Sequence, residues 1–303
     1  MTQNGAQSPR KTSRRQVLVA GGAVIAVAGT GGALAVNALS GGEEAPVRTK
    51  GGEPSAGASC YRLSEEAIEG PYYIDADRIR ANITEGKKGV PLTLAIKVID
   101  SETCKPVRDA AVDIWHCDAL GIYSGYESVG SALPSGMATE SAPADDGSDD
   151  GSDMHVKPTD DARYLRGTQR TDQAGKVRFT SIFPGWYEGR AVHIHMKAQV
   201  DGTWTEGGYE GGRTCHTGQL YFEEEAVLAV AEKTPYSGNT VKRVTLPEDI
   251  LYDDSGATGG LLTLRYDKKK IANGVTASIT VGVDPEATND GHELIIPSAP
   301  PSA

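Results

Sequence analysis

Two histidines one residue apart, His193-Ile194-His195, offer the clearest chemistry in this sequence. In an extended strand, residues i and i+2 face the same side, so both imidazoles can reach one metal ion. Such a pair also occurs in ordinary sheets, so its surroundings decide. Tyr187 stands upstream, within Phe183-Pro184-Gly185-Trp186-Tyr187-Glu188-Gly189-Arg190. A Pro-Gly turn followed by a short loop can fold this phenol back toward the histidine strand. Tyr123 ends the run Trp115-His116-Cys117-Asp118-Ala119-Leu120-Gly121-Ile122-Tyr123, just past a strand end. Two phenolates and two imidazoles form a hard, anionic nitrogen–oxygen donor set that prefers trivalent iron to zinc. A bound ion would hold both phenols deprotonated, far below their free pKa of about 10.

The elements that must position these residues read as strands. Residues 92–100, 111–116, 176–180, 191–200, 219–222, 261–266 and 276–283 are short, apolar or alternating, and separated by turn signals. Residues 223–232 are the best helical candidate. Many short strands predict an all-β sandwich, here with long loops.

Outside this region the composition changes. Arg10, Lys11, Arg14 and Arg15 form a basic head before an apolar Gly/Ala-rich run over 17–36, followed by small-residue sites at Ala33-Leu34-Ala35 and Val36-Asn37-Ala38. That order predicts an export signal over 1–38. Ser13-Arg14-Arg15-Gln16-Val17-Leu18 resembles the twin-arginine motif, so a secreted, extracellular protein is expected. An uncleaved membrane anchor is the alternative. Residues 39–58 read as a flexible linker, 59–285 as the folded domain, and 286–303 as a Pro/Ser tail. Within the domain, 131–161 carries an acidic run, 145–153, read as an inserted solvated loop; a calcium site is the sharper alternative. Net charge is −11. Removing residues 1–38 leaves 26 basic against 41 acidic residues, near −15, which argues against nucleic acid or an anionic membrane as partner. No stable membrane insertion is expected after export. The four cysteines, Cys60, Cys104, Cys117 and Cys215, form no CxxC pair, so disulfides are a better reading than a zinc–thiolate site.

Taken together, the segments resemble the intradiol ring-cleavage dioxygenases, the group containing catechol and protocatechuate dioxygenases. The resemblance is carried by Glu69-Gly70-Pro71-Tyr72-Tyr73, residues 112–123, Leu165-Arg166-Gly167-Thr168-Gln169 with Thr171-Asp172, residues 183–195, and Thr217-Gly218-Gln219-Leu220-Tyr221-Phe222. These come in the family's order and span about 60–283; the acidic insertion departs from the family pattern.

The resemblance implies an Fe(3+) enzyme that cleaves a catechol-type ring with dioxygen to a cis,cis-muconate-type diacid. It implies Tyr123, Tyr187, His193 and His195 as iron ligands, with a solvent hydroxide as the fifth. Tyr187 matches the ligand that leaves when substrate arrives and helps take its protons. Arg190 matches an arginine that stabilises anionic substrate, and Gln219 a glutamine hydrogen-bonding near the hydroxide. Pro71 and Tyr72 match pocket-lining positions. Arg190 as a carboxylate-paired surface residue and Gln219 as an ordinary strand polar group stay open alternatives. Trp115 and Trp186 are expected to pack, and His116, His155, His216 and His292 to be structural. Cys117 and Cys215 both lie in segments that converge on the implied iron, so they are paired, leaving Cys60 with Cys104. Family members commonly pair subunits, so a homodimer is an expectation. A zinc-dependent hydrolase lacks a third ligand at the right spacing, and a binding module with a decayed metal site is the non-enzymatic alternative.

Overall fold

A computed structural model describes residues 60–75, 78–131 and 156–289, all within one unit spanning 54–303. The proposed signal and linker, most of the acidic insertion and most of the tail lie outside the described residues, as do His155 and His292. No helix among the described residues is long and apolar enough to cross a membrane.

The fold is an all-β sandwich of two four-stranded sheets. One sheet runs β4 (Lys176–Ile182), β1 (Pro91–Asp100), β10 (Val275–Val283), β9 (Thr263–Arg265); the other runs β3 (Arg166–Arg170), β2 (Ala111–Trp115), β5 (His193–Val200), β8 (Arg213–Tyr221). A small hairpin, β6 (Thr203–Trp204) with β7 (Tyr209–Glu210), follows β5, and α1 (Glu224–Ala231), the one α-helix among the described residues, follows β8. β1 lies parallel to β10, and the other pairings are antiparallel.

Alternation builds the core. Leu92, Leu94, Ile96 and Val98 of β1 point inward with Val275, Ala277, Ile279 and Val281 of β10. They meet Val112, Ile114, Ile194, Met196, Ala198 and Leu220 from the second sheet. Each such Val, Leu, Ile or Met chain contributes about 1.5–3 kcal/mol through burial. The opposite face of the second sheet is not exposed. His193, His195, Lys197, Gln219 and Tyr221 are also buried, because residues 60–75 cross it as a strap. Ala67 N–H donates to Thr217 O at 2.8 Å, and Glu66 accepts from Thr217 N–H at 2.9 Å.

The predicted strands form, and the helix spans Glu224–Ala231. β3 arises from a segment singled out only for its motif, and β8 begins six residues before Gln219. The cysteine expectation divides. Cys60 and Cys104 are bonded, whereas Cys117 and Cys215 are buried free thiols. The Cys117–Cys215 pairing fails because β8 enters at the other end of the sheet. Gln219 is level with His195 and Trp115, but Cys215 lies near Ala198, whose carbonyl its thiol contacts at 3.4 Å. Four strand residues, at about 3.3 Å each, put Cys215 well beyond the roughly 7 Å Cα limit from the Trp115 end.

Non-reducing peptide mapping should therefore show one Cys60–Cys104 link, with two thiols reacting only after unfolding. Replacing both bonded cysteines with Ser should cost about 2–4 kcal/mol in denaturant melts. A Cys117–Cys215 peptide would contradict this arrangement.

Candidate metal centre

The site is built on the register of the second sheet. Arg166, Trp115, His195 and Gln219 are direct cross-strand partners in one row, and His193 sits opposite Tyr221. Directly opposed residues share a face, so this row brings a cation, an indole, an imidazole and an amide together. Trp115 stacks on His195 with centroids 5.0 Å apart and an interplanar angle of 7°, and Tyr73 packs on Trp115 at 4.8 Å.

The two imidazoles converge, His193 Nε2 lying 3.0 Å from His195 Nε2. His193 Nδ1 lies 2.7 Å from the Ala191 carbonyl. A carbonyl only accepts, so Nδ1 carries the proton and Nε2 presents its lone pair. Burial pushes His193 down to about 3 and His195 in the same direction, so both rings are neutral near pH 7. Neutral imidazole is the metal-binding form.

Both tyrosines reach the same point. Tyr187 Oη lies 3.4 Å from His193 Nε2, the chain turning between them at Glu188-Gly189 rather than at the expected Pro184-Gly185. Tyr123 packs 5.7 Å from Tyr187 and 6.2 Å from His195, ring centre to ring centre. The loops carrying them are locked together. Gly185 N–H donates to Asp118 O at 3.1 Å, and Asp118 Oδ1 accepts the N–H groups of Leu120 and Ile122. Gly121 has φ +85°, and a Cβ there would lie 2.1 Å from the Trp186 carbonyl oxygen, so only glycine lets the loops meet.

Burial alone keeps both phenols protonated. Tyr187 is pushed up to about 12 and Tyr123 well above the ordinary value. Tyr123 Oη and His195 Nδ1 are buried without a hydrogen-bond partner. An unpaired buried hydroxyl is costly, and a cation among these oxygens and nitrogens would complete it. Among the described residues there is no cluster of three or more His, Cys, Asp or Glu side chains fit for a metal. The phenol oxygens of Tyr123 and Tyr187 would complete the donor set of a cation on this histidine pair, and two phenols with two imidazoles fit trivalent iron.

Arg190 and Gln219 lie beside this centre, but not as free groups. Arg190 is buried and forks onto Asp249, with Nε to Oδ2 at 2.9 Å and Nη2 to Oδ1 at 3.2 Å. Its partner is thus a buried carboxylate rather than a surface one. Arg190 Nη2 also donates to Gln219 Oε1 and to Tyr221 Oη. Gln219 Nε2 donates to Ile68 O at 3.3 Å, so the amide ties the sheet to the strap. Sequence reasoning missed Asp249 entirely. On the strap, Glu69 pairs with Lys197, a Cβ added to Gly70 would lie 3.3 Å from His195 Cε1, and Tyr72 stacks on Tyr123 at 4.6 Å. Pro71 is buried beside them, its carbonyl accepting from Val156 N–H at 3.1 Å. His116 and His216 are structural, the first bridging Cys117 O and Ser181 Oγ, the second bonded to Glu66. Trp186 packs as expected and donates to Val241 O at 2.8 Å.

No family model matches the chain. It is 28% identical over 192 residues to the chlorocatechol 1,2-dioxygenases of Cupriavidus pinatubonensis and Burkholderia cepacia, covering 55% of this chain. The chain spans 58% of the length of these curated relatives. Among solved structures it resembles the intradiol ring-cleavage dioxygenase from Tetranychus urticae, with 30% identity and a TM-score of 0.58, over 75% of this chain and 97% of that one. A second dioxygenase structure gives 29% identity and 0.58 over 76% and 98%.

One half-buried carboxyl of the site face yields a pH test. Burial pushes Asp113 up to about 7, despite the hydrogen bond from Thr168 Oγ1 at 3.2 Å. An unfolded Asp titrates near 3.9, so between about pH 4 and pH 7 the folded state binds more protons. This group's contribution to stability therefore falls as pH rises through that window. Asp113→Asn should melt above wild type at pH 8, and the gap should shrink toward pH 4. A gap independent of pH in thermal melts would refute the assignment.

Proposed function

The chain belongs to the intradiol ring-cleavage dioxygenases, and from that premise we propose that it opens a catechol-type ring between its two hydroxyl-bearing carbons, using Fe(III) and dioxygen and giving a cis,cis-muconate-type diacid. The observation that carries the proposal is the convergence of His193 Nε2, His195 Nε2, Tyr187 and Tyr123 in one buried cluster. In this reading these four residues hold the iron. Bound there, Fe(III) would supply a trivalent Lewis acid that keeps the phenols ionised and draws electron density from a chelating catechol.

The chain's own groups have distinct tasks. Burial raises Tyr187 to about 12, so its phenolate oxygen, once free, is basic enough to take a proton from a catechol hydroxyl. Burial would lower Arg190, but Tyr187, Tyr221 and Asp249 outweigh it and keep the guanidinium charged. A fixed cation beside the site stabilises negative charge developing on the substrate. Gln219, held between Arg190 and Ile68, keeps that cation in place. Tyr72 and Pro71 close the site from the strap side and keep bulk water out, which strengthens each of these interactions. The Cys60–Cys104 disulfide supports an exported setting.

Protein produced with sufficient iron should carry one iron per chain and absorb visible light through phenolate-to-iron charge transfer. Oxygen uptake with a panel of catechols should identify the substrate. Tyr187→Phe should keep its iron while turnover falls about 10²–10⁴-fold, the usual contribution of a positioned base. Tyr123→Phe should lose iron affinity as well. An active, colourless preparation with stoichiometric zinc would sink the proposal.

A further inference from the structure

Asp249 lies 58 residues from Ala191 in the chain yet meets it at the entrance to the histidine strand. Its side chain is fully out of water and accepts four hydrogen bonds. Oδ2 takes Arg190 Nε at 2.9 Å and Ala191 N–H at 2.7 Å; Oδ1 takes Arg190 Nη2 at 3.2 Å and Leu251 N–H at 2.9 Å. Ala191 in turn accepts from His193 Nδ1 through its carbonyl at 2.7 Å. One carboxylate therefore grips the guanidinium with a fork and, through a single residue, the histidine that presents Nε2. The same guanidinium reaches Gln219 and Tyr221, the strand partners of His195 and His193.

We propose that Asp249 is the positioning residue of this centre, holding the Arg190 guanidinium and the His193 ring in one fixed relation. The proposal rests on the iron-centre reading given above. Two facts support it over a purely structural role. A carboxylate that served only the core could be replaced by apolar packing, since a buried ion pair is weak stabilisation against a hydrophobic substitute. Three of the four bonds, moreover, come from Arg190 and Ala191, in the segment that enters the histidine strand, and the fourth from the turn that presents the carboxylate itself. Partners that orient a metal-bound histidine typically cost ten- to hundredfold in metal affinity or activity when removed.

The test uses the full chain and iron(III) as the probe. Wild type, Asp249→Asn and the charge-neutral pair Arg190→Gln/Asp249→Asn are titrated with iron against a competing chelator, well below the melting temperature of each apo protein. The neutral pair guards against a single variant that fails to fold with an unpaired buried cation. Both variants should bind iron ten- to hundredfold more weakly and show a shifted charge-transfer band. If a folded variant bound iron as tightly as wild type with an unchanged band, Asp249 would be structural and the inference overturned. A wild type that takes up no iron would instead overturn the proposed function, and this inference with it.

Discussion

Both faces of the sheet β3-β2-β5-β8 are out of water, so its side chains must be divided between two buried layers by the period-two alternation of a strand. Ile114, Ile194, Met196 and Leu220 fall on the layer facing β1 and β10. Trp115, His193, His195, Lys197 and Gln219 fall on the other. A slip of one residue between β5 and β2 would send both histidines into the aliphatic core and bring Ile194 to the site. The register that packs the core is thus the register that assembles the donor cluster. Folding and site formation are the same event for this sheet.

A polar layer under cover needs its groups paired, and that requirement shapes the strap. Residues 66–72 deliver a carboxylate to His216 and Thr217, a carbonyl to Gln219, a carboxylate to Lys197 and a ring to Tyr123. Removing Glu69 would take from the buried Lys197 ammonium, which also lies 4.2 Å from the Tyr73 ring centre, the carboxylate it pairs with. Breaking a buried pair in that way typically costs about 3–5 kcal/mol. Arg166 shows another solution. Its guanidinium is pinned to Ser124 by two bonds of 2.9 Å and lies 6.0 Å from the Tyr123 ring centre. The residue beside the Tyr123 phenol is therefore itself held by a buried cation.

The legible parts of the site are those whose geometry is local. His193 and His195 share a face because they are two apart, and Tyr187, six residues before His193, returns to them through the turn at Glu188-Gly189. Strands announced themselves by alternation wherever one face met the core. Asp249 was invisible because nothing near it in the chain marks a partnership with Arg190 across 59 positions. The cysteines show the reverse error. Cys215 and Gln219 share a strand, but convergence of a strand on a site does not bring its whole length there; four residues of extended chain were enough to defeat the pairing. Trp115 was expected only to pack, and its flat stacking on His195 depends on cross-strand register, which no single segment encodes.

The bond between Cys60 and Cys104 bears on how the covered face behaves when its weaker contacts break. Cys104 sits in the turn after β1, on the sandwich itself, so Glu69 hangs from it by nine residues. A tether that short keeps the released segment at an effective concentration on the order of millimolar over the sheet it left. Its return is then intramolecular and fast compared with any encounter from solution. A long-lived open state, with a polar sheet face offered to other proteins, is suppressed by the tether.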